Sequence, residues 1–212
     1  MKNFNKAFSM LELVFVILVI GIIASLSIPR LDRDRTQEAA DMLLSNIRYT
    51  QHMAMIDYRH DVNNATWQRS LWNISFESCS GSNIFVNIGA DKDYSGGISK
   101  DESVKDPIDG LPMFWTNMTD CSKGGEGQAS PNIFITKKFG VTKVTQSGGC
   151  TGKSISFDHL GRPYKSLSSV PNYSGYMKKK CTFTFEVDGA DDFSIEITPE
   201  TGYAHIVDQN AS

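Results

Sequence analysis

The sequence predicts an α+β protein in which one long N-terminal helix, hydrophobic in its first half, packs on an antiparallel β-sheet domain. Three observations carry this prediction. Residues 13–26 read LVFVILVIGIIASL without a charge. No Gly or Pro interrupts residues 30–59, and Ala40, Leu43, Ile47, Thr50 and Ala54 recur there at steps of three and four, the spacing of one helical face. From Trp67 onward, short runs of alternating apolar and polar residues are separated by Gly, Ser, Asn and Asp, the pattern of strands joined by hairpins.

Taken in order, the helix is expected from Phe8 to about Tyr58. Its first half contains seventeen uncharged positions, 13–29, between Glu12 and Arg30, the lower limit for a helix crossing a bilayer core about 30 Å thick. Strands are expected at 71–76, 84–88, 133–136, 141–145, 154–158, 182–187, 193–198 and 203–207. Residues 89–127 lack periodicity and read as a long loop region with one short strand at 111–115. The chain thus divides into a helix (8–59, with an apolar half 8–29 and an amphipathic half 30–59) and a β-rich globular domain (60–212), preceded by residues 1–7.

The 212 residues are 40% hydrophobic and 21% charged, which excludes a disordered chain. A net charge of −3 lacks the basic excess of a dedicated nucleic-acid binder. Lys178, Lys179 and Lys180 form a basic run, usually a solvated loop and otherwise an anion or DNA contact.

Glu12 is the informative residue of the apolar segment, because a carboxylate at the head of such a run is costly and is retained where a partner exists. The stretch from Lys6 to Leu13, KAFSMLEL, followed by the apolar run and Pro29, closely resembles the N-terminus of type IV prepilins and type II secretion pseudopilins. The resemblance implies that residues 1–7 are a prepilin leader peptide and that a prepilin peptidase cuts between Ala7 and Phe8 and methylates the new amino group. The family usually has Gly where this chain has Ala7. Glu12 matches the family's carboxylate and Pro29 its helix-kinking proline, and both are thereby implied in filament assembly. A freed α-amino group about 4 Å from a carboxylate is attracted by about 4 kcal/mol at an effective dielectric of 20, so Glu12 can recruit a neighbouring subunit's N-terminus. Loss of Lys2 and Lys6 with the leader would make the charge two units more negative.

Two further stretches, SISFDHLGRP at 154–163 and FSIEITPETGY at 193–203, together with Ile84-Phe85-Val86-Asn87 before an Asp- and Gly-rich loop, resemble signatures of the GspH/FimT group of minor pseudopilins and minor pilins. The resemblance implies a type IV pilin-like fold. It also implies a single-pass inner-membrane subunit with its globular domain in the periplasm, whose partners are other pilins or pseudopilins through the N-terminal helix, prepilin peptidase and the inner membrane.

Cys79, Cys121, Cys150 and Cys181 all follow the apolar segment, where an oxidising compartment permits disulfides. Of the three connectivities, neighbour pairing, Cys79 with Cys121 and Cys150 with Cys181, is expected because each bridge closes a loop within one half of the sheet. Zinc is disfavoured, because no C-x-x-C pair exists and His52, His60, His159 and His205 show no ligand spacing with the cysteines. The sharpest local motif is DKDYSGGISKDE at 91–102. It fits a twelve-residue calcium loop, with Asp91, Asp93, Ser95, Gly97, Ser99 and Glu102 at the donor positions and Gly96 at the turn. Its flanks do not read as the two helices of a true EF-hand, so an acidic turn between strands is the plain alternative. Calcium is the one cofactor the sequence suggests.

Gly152-Lys153-Ser154 lacks the first glycine of a phosphate-binding loop, with Ser147 in its place. No Ser, His and Asp set sits in a nucleophile context, so no enzymatic activity is expected. The reading is a non-enzymatic minor pseudopilin or minor pilin of a short periplasmic filament, in a type II secretion or type IV pilus-like machine. The alternatives are a competence minor pilin acting as a DNA receptor and a secreted calcium-binding protein behind an ordinary signal peptide.

Overall fold

The computed structural model describes residues 9–79, 83–116, 121, 127–165 and 175–207, and within the first helix it leaves the side chains of 25–34 undescribed. Helix α1 spans Met10–Ile56. Ser9 caps it, its Oγ accepting from the Glu12 backbone N–H at 3.2 Å, and Glu12 lies in the first turn, where the helix dipole favours a carboxylate. The helix stops at Asp57, whose N–H bonds the Met53 carbonyl. The Asp57 carboxylate accepts from Trp72 Nε1 at 3.0 Å and from the Arg59 guanidinium, which turns the chain back toward the first strand.

Among the described residues the body has eight strands in two antiparallel sheets. The strands are β1 (Trp72–Ser78), β2 (Ile84–Gly89), β3 (Val141–Gly148), β4 (Ser154–Phe157), β5 (Pro163–Tyr164), β6 (Cys181–Val187), β7 (Phe193–Ile197) and β8 (Ala204–Ile206). One sheet has the order β2-β1-β4-β5 and the other β3-β6-β7-β8. A short helix, α2 (Ile135–Phe139), follows a single 3₁₀ turn at Pro131–Ile133. Alternation sorts β1 and β6 cleanly: Trp72, Ile74 and Phe76 face inward from one, and Cys181, Phe183, Phe185 and Val187 from the other. The sheets meet where the Phe76 ring lies 5.3 Å from Phe183 and 5.2 Å from Phe185.

The second half of α1 joins the same core. Ala39, Ala40, Leu43, Ile47, Thr50 and Ala54 are all buried, so the three-and-four stripe is a packing face. Polar bonds fix its register: Arg48 donates to the Ala204 carbonyl at 2.9 Å. Gln51 Nε2 donates to the carbonyls of Gly161 and Thr201 at 2.8 and 2.9 Å. Gly202 has φ +66°, and a Cβ there would lie 2.4 Å from the Gly161 carbonyl oxygen. Only glycine fits this close approach. The turns of the 154–163 and 193–203 stretches therefore meet beneath Gln51.

Cys79 is bonded to Cys121 and Cys150 to Cys181, with Cα separations of 6.1 and 5.0 Å. The second bridge sits where the chain leaves β3, in one sheet, for β4, in the other.

Several expectations are corrected. The expected type IV pilin-like fold, one long helix packed on a single antiparallel sheet, is not what forms. The described side chains of residues 10–24 are exposed and rest on no sheet, and the body is two sheets instead of one. The single-pass inner-membrane localisation, with the globular domain in the periplasm, is overturned as well. Among the described residues, no helix is long and apolar enough to cross a membrane. The uncharged run stands only at the lower limit of length, because seventeen residues at a rise of about 1.5 Å each give about 25 Å against a core of about 30 Å. Residues 133–136, read as a strand, form the end of the 3₁₀ turn and the start of α2, while 111–115 contributes only a bridge between Pro112 and Lys105.

Leu43 is fully buried where α1 meets the sheets. Leu43→Ala is expected to cost about 2–5 kcal/mol, read as a lowered urea midpoint with an unchanged slope.

Candidate functional site

The loop from Asp91 to Glu102 leaves the end of β2, and its fold follows from its own side chains. Asp91 accepts from the backbone N–H groups of Ser95 (2.9 Å) and Gly96 (2.9 Å), while Asp93 accepts from that of Ser95 at 3.0 Å. Gly96 takes φ +102°, which frees the chain to curl around these carboxylates. Ile98 lies across Gly89, where a Cβ would come within 2.5 Å of its Cγ2.

Glu102 closes the ring. One of its oxygens accepts from the N–H groups of Lys92 (2.5 Å) and Asp93 (3.1 Å), and the other from the N–H and hydroxyl of Ser99 (2.9 and 2.7 Å). Ser99 and Glu102 form a capping box on the short turn Lys100–Glu102.

Oxygens of Asp91, Asp93 and Glu102 all lie within 4.8 Å of one another. Asp91 is 5% exposed and Glu102 6%. Asp93 is exposed, but carboxylates as close and as buried as Asp91 and Glu102 repel unless compensated. Backbone N–H groups supply part of that compensation, and a cation bound among the three would supply more. Burial pushes the Glu102 carboxyl up, but the hydrogen bonds from Ser99, Asp93 and Lys92 outweigh it and leave it below the ordinary range. Hydrogen bonds from Ser95 lower Asp93 in the same way. Of the six predicted donors, the structure brings these three carboxylates together. Ser95 and Ser99 serve as hydrogen-bond partners of the acids, and the Gly97 carbonyl accepts from the Ser95 hydroxyl at 3.4 Å.

The other predicted residues lie apart from this loop. Ala7 and Phe8 fall outside the described residues. Glu12 is exposed on α1, and Pro29 lies within the helix. Lys178, Lys179 and Lys180 are exposed, but Lys180 pairs with Glu196 at 2.8 Å and the nearby strand β3 pairs its Lys143 with Glu186 at 2.6 Å. The basic set is therefore partly neutralised by the sheet that carries it.

Sequence reasoning missed a further buried acid, Asp106, which is 4% exposed. It accepts from Ser130 Oγ at 2.7 Å, Asn132 Nδ2 at 2.8 Å and the Ile108 N–H at 2.8 Å, tying the loop after β2 to the turn before α2. Burial raises its carboxyl, and these hydrogen bonds lower it further than burial raises it. The D-x-x-D-G pattern at 106–110 was the available signal.

Comparison of the chain with protein-family models, with curated proteins and with solved structures finds no match.

A carboxyl lowered by folding contributes stability above its ordinary value, 4.5 for Glu102, and that contribution is lost as the pH falls through the lowered folded value. In calcium-free buffer, Glu102→Gln should cost about 1–3 kcal/mol near neutrality, with the gap to the parent narrowing as the pH drops below 4.5. Denaturant titrations along a pH series check this.

Proposed function

We propose that the chain is a non-enzymatic minor pseudopilin or minor pilin, a subunit that assembles through α1 into a short filament of a type II secretion or type IV pilus-like machine. The carrying observation is the exposed apolar half of α1. Phe15 is 66% exposed, Ile17 62% and Leu13 54%, and none of the described side chains of residues 10–24 is buried. A contiguous apolar surface of this size marks an interaction site. Covering each large side chain is worth about 1.5–3 kcal/mol, and a neighbouring subunit's equivalent helix supplies the matching surface.

Glu12 sits in the first turn of that surface, and the prepilin-like sequence around Ala7 and Phe8 supplies the amino group it would pair with after cleavage. The disulfides Cys79–Cys121 and Cys150–Cys181 suit an oxidising compartment. In this reading the 91–102 loop binds calcium as a structural ion that holds the end of β2. With three carboxylates the affinity falls in the weak range of about 0.1–1 mM. The paired states of Lys143 and Lys180 favour docking of other subunits over the DNA-receptor alternative.

Glu12→Ala is expected to leave the fold and the processing after Ala7 unchanged while impairing incorporation into filaments, because only the inter-subunit charge pair is lost. Normal complementation by this variant in a strain lacking the gene contradicts the proposal. Calorimetry on the full chain should show calcium binding that Asp91→Ala removes. Absence of heat at millimolar calcium contradicts the metal reading alone.

A further inference from the structure

The first sheet has a second face, turned away from the core, that the filament reading does not use. Strand register places Asn73 between Gly89 and Ser156, and Ser75 between Asn87 and Ser154, so small polar side chains from three adjacent strands form one surface. They are held in place by one another. Asn73 Nδ2 donates to Ser156 Oγ at 2.8 Å, Ser75 Oγ to Glu77 Oε1 at 3.0 Å, and Asn87 Nδ2 to the same Glu77 oxygen at 3.3 Å. This surface is the floor of a groove of about 700 Å³, within the range of small-ligand sites.

Its walls come from elsewhere in the chain. Phe114 and Trp115 line one side, and Trp115 is locked to Asn87 by two bonds: its N–H donates to Asn87 Oδ1 at 2.8 Å, and Asn87 Nδ2 donates to its carbonyl at 3.0 Å. Gly96, Gly97 and Ile98 contribute further lining, with Ile98 seated on Gly89. Asn87 and Ser156, at 3% and 1% exposed, brace the floor from beneath, and the half-buried Asn73, Ser75, Glu77 and Ser154 face the groove in positions already fixed, which spares a ligand the cost of ordering them.

The chemistry of the lining selects among ligand classes. Arg69 and Lys165 are balanced by Glu77 and Asp91, so the groove has no bias toward a polyanion. β1 is hydrogen-bonded on both sides, to β2 and to β4, so the floor offers side chains and no free strand edge for an extended peptide to join. An apolar ligand would strip water from the half-buried Asn73, Ser75, Glu77 and Ser154 without replacing its hydrogen bonds. A polyhydroxylated ligand replaces them, because each of its hydroxyls both donates and accepts, as the serines do, while Asn amides and a carboxylate complement vicinal hydroxyls. Phe114 provides apolar surface for the C–H faces of sugar rings, while the Trp115 ring is braced edge-on against Phe134 of the core.

We infer that this groove binds a neutral oligosaccharide segment. The inference does not depend on filament assembly.

The test is an NMR titration of the full chain, in a sugar-free zwitterionic detergent, with maltohexaose, cellohexaose and chitohexaose, and with a heparin hexasaccharide as the anionic comparison. At least one neutral hexasaccharide is expected to shift the side-chain amide signals of Asn73 and Asn87. Glu77→Ala is expected to weaken that binding at least about tenfold. Ser154→Trp, which fills the groove from the outer face of β4, is expected to abolish it while leaving the thermal unfolding midpoint in place. The inference is overturned if no neutral hexasaccharide binds at about 10 mM, if only the heparin fragment binds, or if both variants bind as the parent does.

Discussion

The structure depends on the packing of one face of α1 against both sheets at once. Leu43 and Ile47 are fully buried between elements distant in sequence, and the helix reaches β1 and β4 of one sheet and β7 and β8 of the other. Gln51 then ties the turn at Gly161 to the turn at Thr201 through its single amide group. Hydrophobic burial holds the helix down, and these few hydrogen bonds choose its register. The tolerance is narrow, because Gly202 admits no side chain beneath Gln51.

The same helix has opposite requirements at its two ends. The described part of its second half is buried on one face and polar on the other, while the described side chains of residues 10–24 are exposed throughout. A uniformly apolar helix surface in water is stable only when something covers it. This asymmetry makes α1 a structural strut for the body at one end and, in the proposed filament, the handle for assembly at the other. The body adds two features on its first sheet, an acid-lined loop and a polar groove, which share Ile98 as a common piece of wall.

Much of this was legible in the sequence because its signals are local. The stripe from Ala40 to Ala54 is a period read within five turns, and it became the buried face. Alternation in 182–187 and 193–198 marked β6 and β7 within a residue at each end. The acidic loop was legible from its spacing, since hydrogen bonds from residues two to five positions away shape it. What failed depends on distance. Nothing near 141–157 announces that β3 and β4, separated by a few residues, enter different sheets, because that partition is set by pairing with β6 and β1. Residues 133–136 carry β-favouring types, yet Pro131 and the left-handed Gly140 bracket a helix there, an instance of tertiary context overriding propensity. Asp106 was passed over because its partners, Ser130 and Asn132, are more than twenty positions away.

The central claim is that the exposed apolar half of α1 is covered by the same half of neighbouring copies. All four native cysteines are consumed in disulfides, so Val16→Cys introduces the sole thiol, on a side chain 43% exposed. Oxidation of this variant in cells that assemble the filament should give disulfide-linked dimers between copies, reduced in yield when Glu12→Ala is added. A thiol at Val16 that stays monomeric and freely alkylated under assembling conditions contradicts the account.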